Sequence, residues 1–332
     1  MKAHFSSHTK SSYDRAWAPA MSLIANELHS LGYSVSKDPD LLWLDEPDCI
    51  TSDSYEEDDL IIYTDCDSRL TPFKGLYVSL QGPESGYFAI DRVGKWPYLE
   101  QTYNTIPCSL LNTDSNFYFN EFITLLKENK TNKYHNNSLN PGKDSPEPKD
   151  LPDNHILVLV SSFDDKWRDG WQRLGVVLNT LLNELTDPIV IKFDPAFLLT
   201  PSGNTDESRL EGAKDIMESM QGNVTYYTGL ESLHDILKKT KVCIIDEAIN
   251  DLEPFMYNVP IITHGAPPYR KFVKQIYHEH ELIPAIKDMS WFDHGIQYAW
   301  LKWFVMHYLC SDAESVSRRL NELLEPNTIQ HH

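Results

Sequence analysis

One stretch restricts the fold more than any other: residues 242–269, VCIIDEAINDLEPFMYNVPIITHGAPPY. Val242 to Ile245 is a short apolar run of the kind found in parallel strands buried on both faces. Asp246 and Glu247 open a polar turn and favour the N-terminus of the helix that follows. Val259–Thr263 is a second buried-strand candidate, closed by Gly265, Pro267 and Pro268. A short helix between two such strands is a βαβ unit, and sheets built from these units bind ligands at the carboxyl ends of their strands. Glu253 falls on the helix, seven residues before Pro260.

The alternation extends upstream. His155–Ser161 (HILVLVS) reads as a central parallel strand, and SFDDKWR follows as the loop at its carboxyl end. Trp171–Leu185 is an amphipathic helix. Pro188–Phe193 is the next strand and runs into Lys192-Phe193-Asp194-Pro195. Val224–Tyr227 and Leu230–Lys239 supply another strand and helix. Strands alternating with helices in this way build a doubly wound sheet. No Gly-x-Gly-x-x-Gly fingerprint is present, which weighs against an ordinary NAD-binding domain.

The first half is less regular. Tyr13–Leu31 has helical apolar spacing and ends at Gly32, a natural helix terminator. Strands are expected at Tyr33–Ser36, around Leu41–Leu44, at Leu60–Tyr63 and at Gly75–Gln81, and a helix at Phe117–Glu128. Residues 129–154 are poor in large apolar side chains and rich in Asn, Lys, Pro, Ser and Asp, a linker composition. The expected domains are therefore 1–130, a linker 131–154, a second domain 155–290, and C-terminal helices 291–330.

The spacing from Glu253 to Pro260, with Gly265 and Tyr269 beyond, resembles the donor-binding segment of two-Rossmann (GT-B) glycosyltransferases. That segment reads roughly E-A-small-G-x-P-V-I, its Glu holding the donor ribose. The closest resemblance is to capsular-polysaccharide transferases of the Kdo type. Here Pro254 replaces the Ala, and Tyr257 and Asn258 replace the small residue and the Gly. Those transferases carry Lys-x-His-Pro where this chain has Lys192-Phe193-Asp194-Pro195, so Asp194 stands in place of a His that contacts the nucleotide. The resemblance covers about residues 155–310. It implies an α/β chain of two Rossmann-like domains facing across a cleft, the donor on the second, the acceptor on the first, and terminal helices packing back across the domains.

It also implies a site. Lys192, Asp194, Asp246, Glu247, Glu253, Gly265, Tyr269 and Arg270 are the donor-side candidates. On the first domain, His8, Lys10, Ser11 and Ser12 form a polar turn ahead of a helix, whose N-terminus attracts anions, and are the acceptor or phosphate candidates. Asp91, flanked by Tyr87, Phe88, Trp96 and Tyr98, is the candidate catalytic base. Asp65 and Asp67 resemble the Asp-x-Asp metal–diphosphate signature of the GT-A class, and such carboxylates suit Mg²⁺ or Mn²⁺. With 49 acidic residues in the chain, matches to so short a motif arise by chance, and no metal or other cofactor is expected.

The function implied is transfer of a sugar from a UDP- or CMP-sugar to an acceptor, a glycan. The alternatives are a phage-type DNA glycosyltransferase acting on hydroxymethylated bases and a non-catalytic nucleotide- or glycan-binding protein. A net charge of −20 weighs against nucleic acid and anionic lipid, whose binding is driven by basic residues. No apolar run nears the ~20 residues of a membrane span, and MKAHFSSHTKSS lacks a signal-peptide core, so a cytoplasmic protein is expected. Five scattered cysteines without a CxxC pair point to neither zinc nor a disulfide framework.

Overall fold

A computed structural model describes residues 1–6, 14–38, 41, 50–51, 56, 58–64, 75–80, 86–92, 116–131, 142–160, 168–194, 211, 222–227, 231–246, 252–264 and 269–324. The chain divides into two compact units, Met1–Thr105 with Lys302–His332, and Ile106–Leu301.

In the first unit, β1 (Lys2–Ser6), α1 (Asp14–Ser30), β2 (Ser34–Lys37), β3 (Ile50–Thr51), β4 (Leu60–Thr64), β5 (Gly75–Leu80) and β6 (Phe88–Asp91) follow one another. The sheet order is β3-β2-β1-β4-β5-β6. All neighbours are parallel except β5 and β6. α1 docks through Ala20, Met21, Ile24, Ala25 and Leu28, all buried at helical spacing, against Ala3, Phe5, Val35 and Ile62 of the sheet. The C-terminal helix, Ala313–Leu324, adds Val316, Leu320 and Leu323 to that core. Its first turn is capped by Asp312, whose carboxylate accepts from the Ser315 N–H at 2.8 Å. Gly75 has to be glycine: a Cβ there would lie 2.2 Å from the Ile61 carbonyl oxygen.

In the second unit, α2 (Asn116–Asn129) precedes β7 (His155–Val160), α3 (Arg168–Glu184), β8 (Ile189–Phe193), β9 (Val224–Tyr227), α4 (Leu233–Leu237), β10 (Thr240–Asp246), α5 (Glu253–Met256), β11 (Ile261–His264), β12 (Lys274–Ile276), α6 (Leu282–Lys287) and α7 (His294–Trp303). The sheet is parallel throughout, in the order β12-β11-β10-β7-β8-β9. Numbered within its own unit, each sheet reads 3-2-1-4-5-6, the doubly wound order, with its switch point between the first and fourth strands. The expectation of two Rossmann-like sheets is met. One face of the second sheet packs Ile156, Val158, Ile191, Val242, Ile244 and Ile262 against α3 and α6.

The sequence placed domain boundaries at 131–154 and near 291, whereas the compact units divide near 105 and 301. Side chains explain the difference. From α2, Asn120 accepts from the Tyr298 hydroxyl, Phe119 packs on the Tyr298 ring and Lys127 lies over the Tyr257 ring at 4.8 Å, so α2 belongs to the second unit. The C-terminal helices expected over 291–330 begin with a broken segment, 291–310. It comprises α7, then a π-helical turn, Phe304–Tyr308, and then Cys310, which pairs with Phe88 as an isolated bridge.

His234, on α4, ties the second unit together internally. Its Nε2–H donates to the Thr131 carbonyl at 2.7 Å, which leaves Nδ1 to accept from the Tyr257 hydroxyl at 2.9 Å. Burial holds its pKa down at about 4. The unfolded chain therefore takes up a proton near pH 6.5 that the folded protein refuses until about pH 4. This contribution to stability is complete above pH 6.5 and is lost as pH falls towards 4, about 3 kcal/mol in all. Denaturant midpoints measured from pH 7.5 to 4.5 should fall for the wild type, and His234→Gln should flatten that part of the profile. An equally steep profile in the variant would assign the pH dependence to other groups.

Candidate functional site

In doubly wound sheets the ligand lies outside the carboxyl ends of the strands. At that end of the second sheet one row of residues runs in register across all six strands: Gln275, Thr263, Ile245, Leu159, Lys192 and Tyr227. Because strand residues alternate between faces, this row lies opposite the face formed by Ile244, Ile262, Val158 and Ile191. Lys192 is buried, and its ammonium donates to the Phe193 carbonyl at 2.9 Å. Asp194 follows β8 and is half-buried; its N–H donates to the Val160 carbonyl at 2.9 Å. Asp246 ends β10, and its backbone pairs with His264.

Glu253 is the first residue of α5, with Pro254 in the first turn, where a missing N–H costs nothing. Its side chain is buried, 3% exposed, so its placement is not that of an ordinary surface glutamate. The departures from the E-A-small-G-x-P pattern acquire physical reasons here. Asn258 has φ +56°, the left-handed conformation that favours Gly and that Asn tolerates better than most residues. Tyr257 uses its bulk to reach His234 and Lys127. Tyr269 is fully buried with its ring 5.1 Å from Phe255 and 5.5 Å from Trp300, so it belongs to the aromatic cluster behind α5. Arg270 opens a single 3-10 turn, Arg270–Phe272. Glu247 and Gly265 lie outside the described residues, as do His8, Lys10, Ser11, Ser12, Asp65 and Asp67.

Asp91, the candidate base, sits in a closed setting. It has no exposed surface, the Tyr308 hydroxyl donates to its Oδ2, and the Arg319 guanidinium lies 3.8 Å from that oxygen. Arg319 also donates to the Ile90 carbonyl at 3.0 Å and lies over the Tyr308 ring at 4.8 Å. The two side chains form a buried ion pair fastening the C-terminal helix to β6.

Sequence reasoning missed a second carboxylate in the same unit. His4 on β1 is fully buried, with Nε2 2.9 Å from Asp38 Oδ1 and Nδ1 2.9 Å from Ser36 Oγ. Ser6 donates to Asp38 Oδ2 at 3.1 Å. The carboxylate only accepts, so Nε2 carries a proton, and in the neutral ring Nδ1 accepts from Ser36. Asp38 itself is 22% exposed. Its carboxylate is thus fixed from two sides, just beyond the carboxyl end of β2 and beside that of β1. His4 and Ser6 share one face of β1, and Ser36 and Asp38 share one face of β2, by simple alternation. What joins the two pairs is the His4↔Ser36 register.

Among the described residues of the second unit, the buried Thr263 hydroxyl and both ends of the Gln297 carboxamide, on α7, have no hydrogen-bond partner. Each such group costs about 1–3 kcal/mol when left unsatisfied, so native structures rarely retain them without reason.

These two sheets can be set beside known proteins. The β-Kdo 2,4 transferase of KpsC from Thermosulfurimonas dismutans superposes with a TM-score of 0.54 at 12% identity, over 92% of this chain and 91% of that one. The chain has the GT-B fold. The β-Kdo 2,7 transferase of the same KpsC matches at TM-score 0.46 and 10% identity, covering 97% and 99%. Anabaena Alr3699/HepE, in complex with UDP-glucose, matches at 0.41 and 9%, covering 98% and 99%. The GT-B assignment rests on the first of these, and at such identities the likeness is one of fold. No protein-family model and no curated protein matches the sequence. Among the described residues, no helix of this GT-B chain is long and apolar enough to cross a membrane.

Proposed function

We propose that the protein is a glycosyltransferase that binds a nucleotide-sugar on its second unit and transfers the sugar to a hydroxyl of a glycan acceptor. The observation that carries this reading is the carboxyl end of the second sheet. There a buried Glu253 opens the helix between β10 and β11, and Lys192 occupies the same edge of the sheet, two strands from β10. A buried glutamate at that place suits the ribose hydroxyls of a donor, to which a carboxylate offers two acceptor oxygens. Lys192 and Arg270 supply positive charge for the leaving phosphate. Asp194 serves here as an acceptor for a sugar or base N–H or O–H rather than as a phosphate ligand. The Kdo transferase activity of the KpsC neighbour supports an activated sugar donor without choosing between UDP and CMP.

On the first unit, the fixed carboxylate of Asp38 is the group we assign to the acceptor hydroxyl, in place of Asp91. A fixed carboxylate accepts hydrogen bonds from hydroxyls and repels phosphate, which favours a glycan over DNA as acceptor.

The test is a thermal-shift panel of UDP- and CMP-sugars, followed by hydrolysis and transfer assays with radiolabelled donor. At least one nucleotide-sugar should raise Tm in a concentration-dependent manner, and Glu253→Ala should weaken its binding at least several-fold. Stabilisation without any turnover would identify a binding protein of the same fold. No stabilisation by any member of the panel would refute the nucleotide-sugar reading.

A further inference from the structure

Of the unpartnered polar groups among the described residues of the second unit, the Thr263 hydroxyl belongs to the carboxyl end of the sheet just described. Thr263 is fully buried at the penultimate position of β11, in the same cross-sheet row as Lys192. Three strand spacings separate the two, about 14 Å, a span comparable to an extended nucleotide. Gln297 is 2% exposed and stands three residues before Trp300 on α7, hence on the same helix face. Trp300 in turn packs at 4.7 Å against Phe255 of α5 and at 5.5 Å against Tyr269, beyond β11. Gln297 therefore faces the elements that bracket Glu253 and the exit of β11.

The chemistry of the two groups is specific. A carboxamide presents one acceptor and one donor side by side, and Thr263 adds a hydroxyl that can do either. Neither carries charge, so neither is built for phosphate. A planar ring edge with adjacent donor and acceptor atoms matches the carboxamide, as Gln matches an adenine edge in DNA recognition. An apolar core would be better served at these positions by Val and Met, which fill the same volumes without unmet hydrogen bonds.

We propose that Gln297 hydrogen-bonds the edge of the donor's nucleobase and sets the base preference, while Thr263 bonds the ribose common to all nucleotides. This deepens the nucleotide-sugar reading and depends on it. Binding shifts these side chains from a buried, unsatisfied state to a satisfied one, so their cost to the free protein is recovered in the complex.

The experiment compares UMP, CMP and AMP binding by calorimetry in the wild type, Gln297→Met and Thr263→Val, with the Tm of each unliganded protein. The wild type should prefer one base at least tenfold. Gln297→Met should bring the three affinities within about twofold of one another and leave the unliganded Tm unchanged or higher. Thr263→Val should weaken all three several-fold and keep their ratio. A wild type that binds nucleotides with no base preference overturns the assignment, as does a preference that survives in Gln297→Met. An equal loss for every base in Gln297→Met would make Gln297 a packing residue and overturn it too. A wild type that binds none of the three nucleotides and no nucleotide-sugar would instead bring down the underlying reading.

Discussion

Arg319→Ala should lower the stability of the first unit by about 3–5 kcal/mol, the cost of leaving one member of a buried ion pair uncompensated. The residue is 6% exposed. It donates to the Ile90 carbonyl and to Glu322, lies near Asp91 and covers the Tyr308 ring. Removing it takes the cation away from the fully buried Asp91 carboxylate, which keeps the hydrogen bond from the Tyr308 hydroxyl, and opens a cavity between the C-terminal helix and β6. Urea denaturation followed by tryptophan fluorescence reads the loss, with Trp303 reporting locally from 5.5 Å beside the Tyr308 ring. The double variant Arg319→Met, Asp91→Leu should recover most of the stability, because it removes both charges and keeps the volume. A loss below about 1 kcal/mol in the single variant would show the pair to be solvated, and would reopen Asp91 to a role in chemistry.

The second large effect is expected at Asp38. If its carboxylate takes the acceptor's proton, Asp38→Asn should lower kcat by about 10²–10⁴-fold, the usual contribution of a general base. Donor binding should be unchanged, since the substitution lies on the first unit. His4→Gln should have a smaller effect of the same kind. It keeps a donor towards Asp38 but changes where that donor sits, so the carboxylate is held less well. Transfer rates measured with saturating donor, beside calorimetry for the donor, separate the two effects. A full rate in Asp38→Asn would return the residue to a structural hydrogen-bond role and leave the donor-side reading untouched.

Much of the second unit was legible in the chain. HILVLV, IVIKF and VCIID are short apolar runs rich in β-branched residues, the pattern of strands buried on both faces, and the structure makes each of them a strand. Glu253 and Pro260 are close in sequence and fixed by one short helix, so their local arrangement needed no long-range information. Even the departures Tyr257 and Asn258 were visible. What was hidden was that an Asn at φ +56° does the work of the Gly, and that Tyr257 reaches across to His234.

The first unit was harder to read because its contacts are distant in sequence. Asp91 looked like a turn carboxylate among aromatics, and its partners, Tyr308 and Arg319, lie more than 200 residues away. α2 looked like part of the first domain because it precedes the linker, yet its side chains close on Tyr257 and Tyr298.

The sequence by itself determined the strands, the helices between them and the class of sheet they build, since hydrophobic period and turn residues act over a few positions of chain. Only the tertiary structure decided which polar groups meet. Strand register set His4 beside Ser36 and placed Lys192 and Thr263 in one row. Register depends on how every strand of a sheet packs at once, and that information is not stored at any single position along the chain.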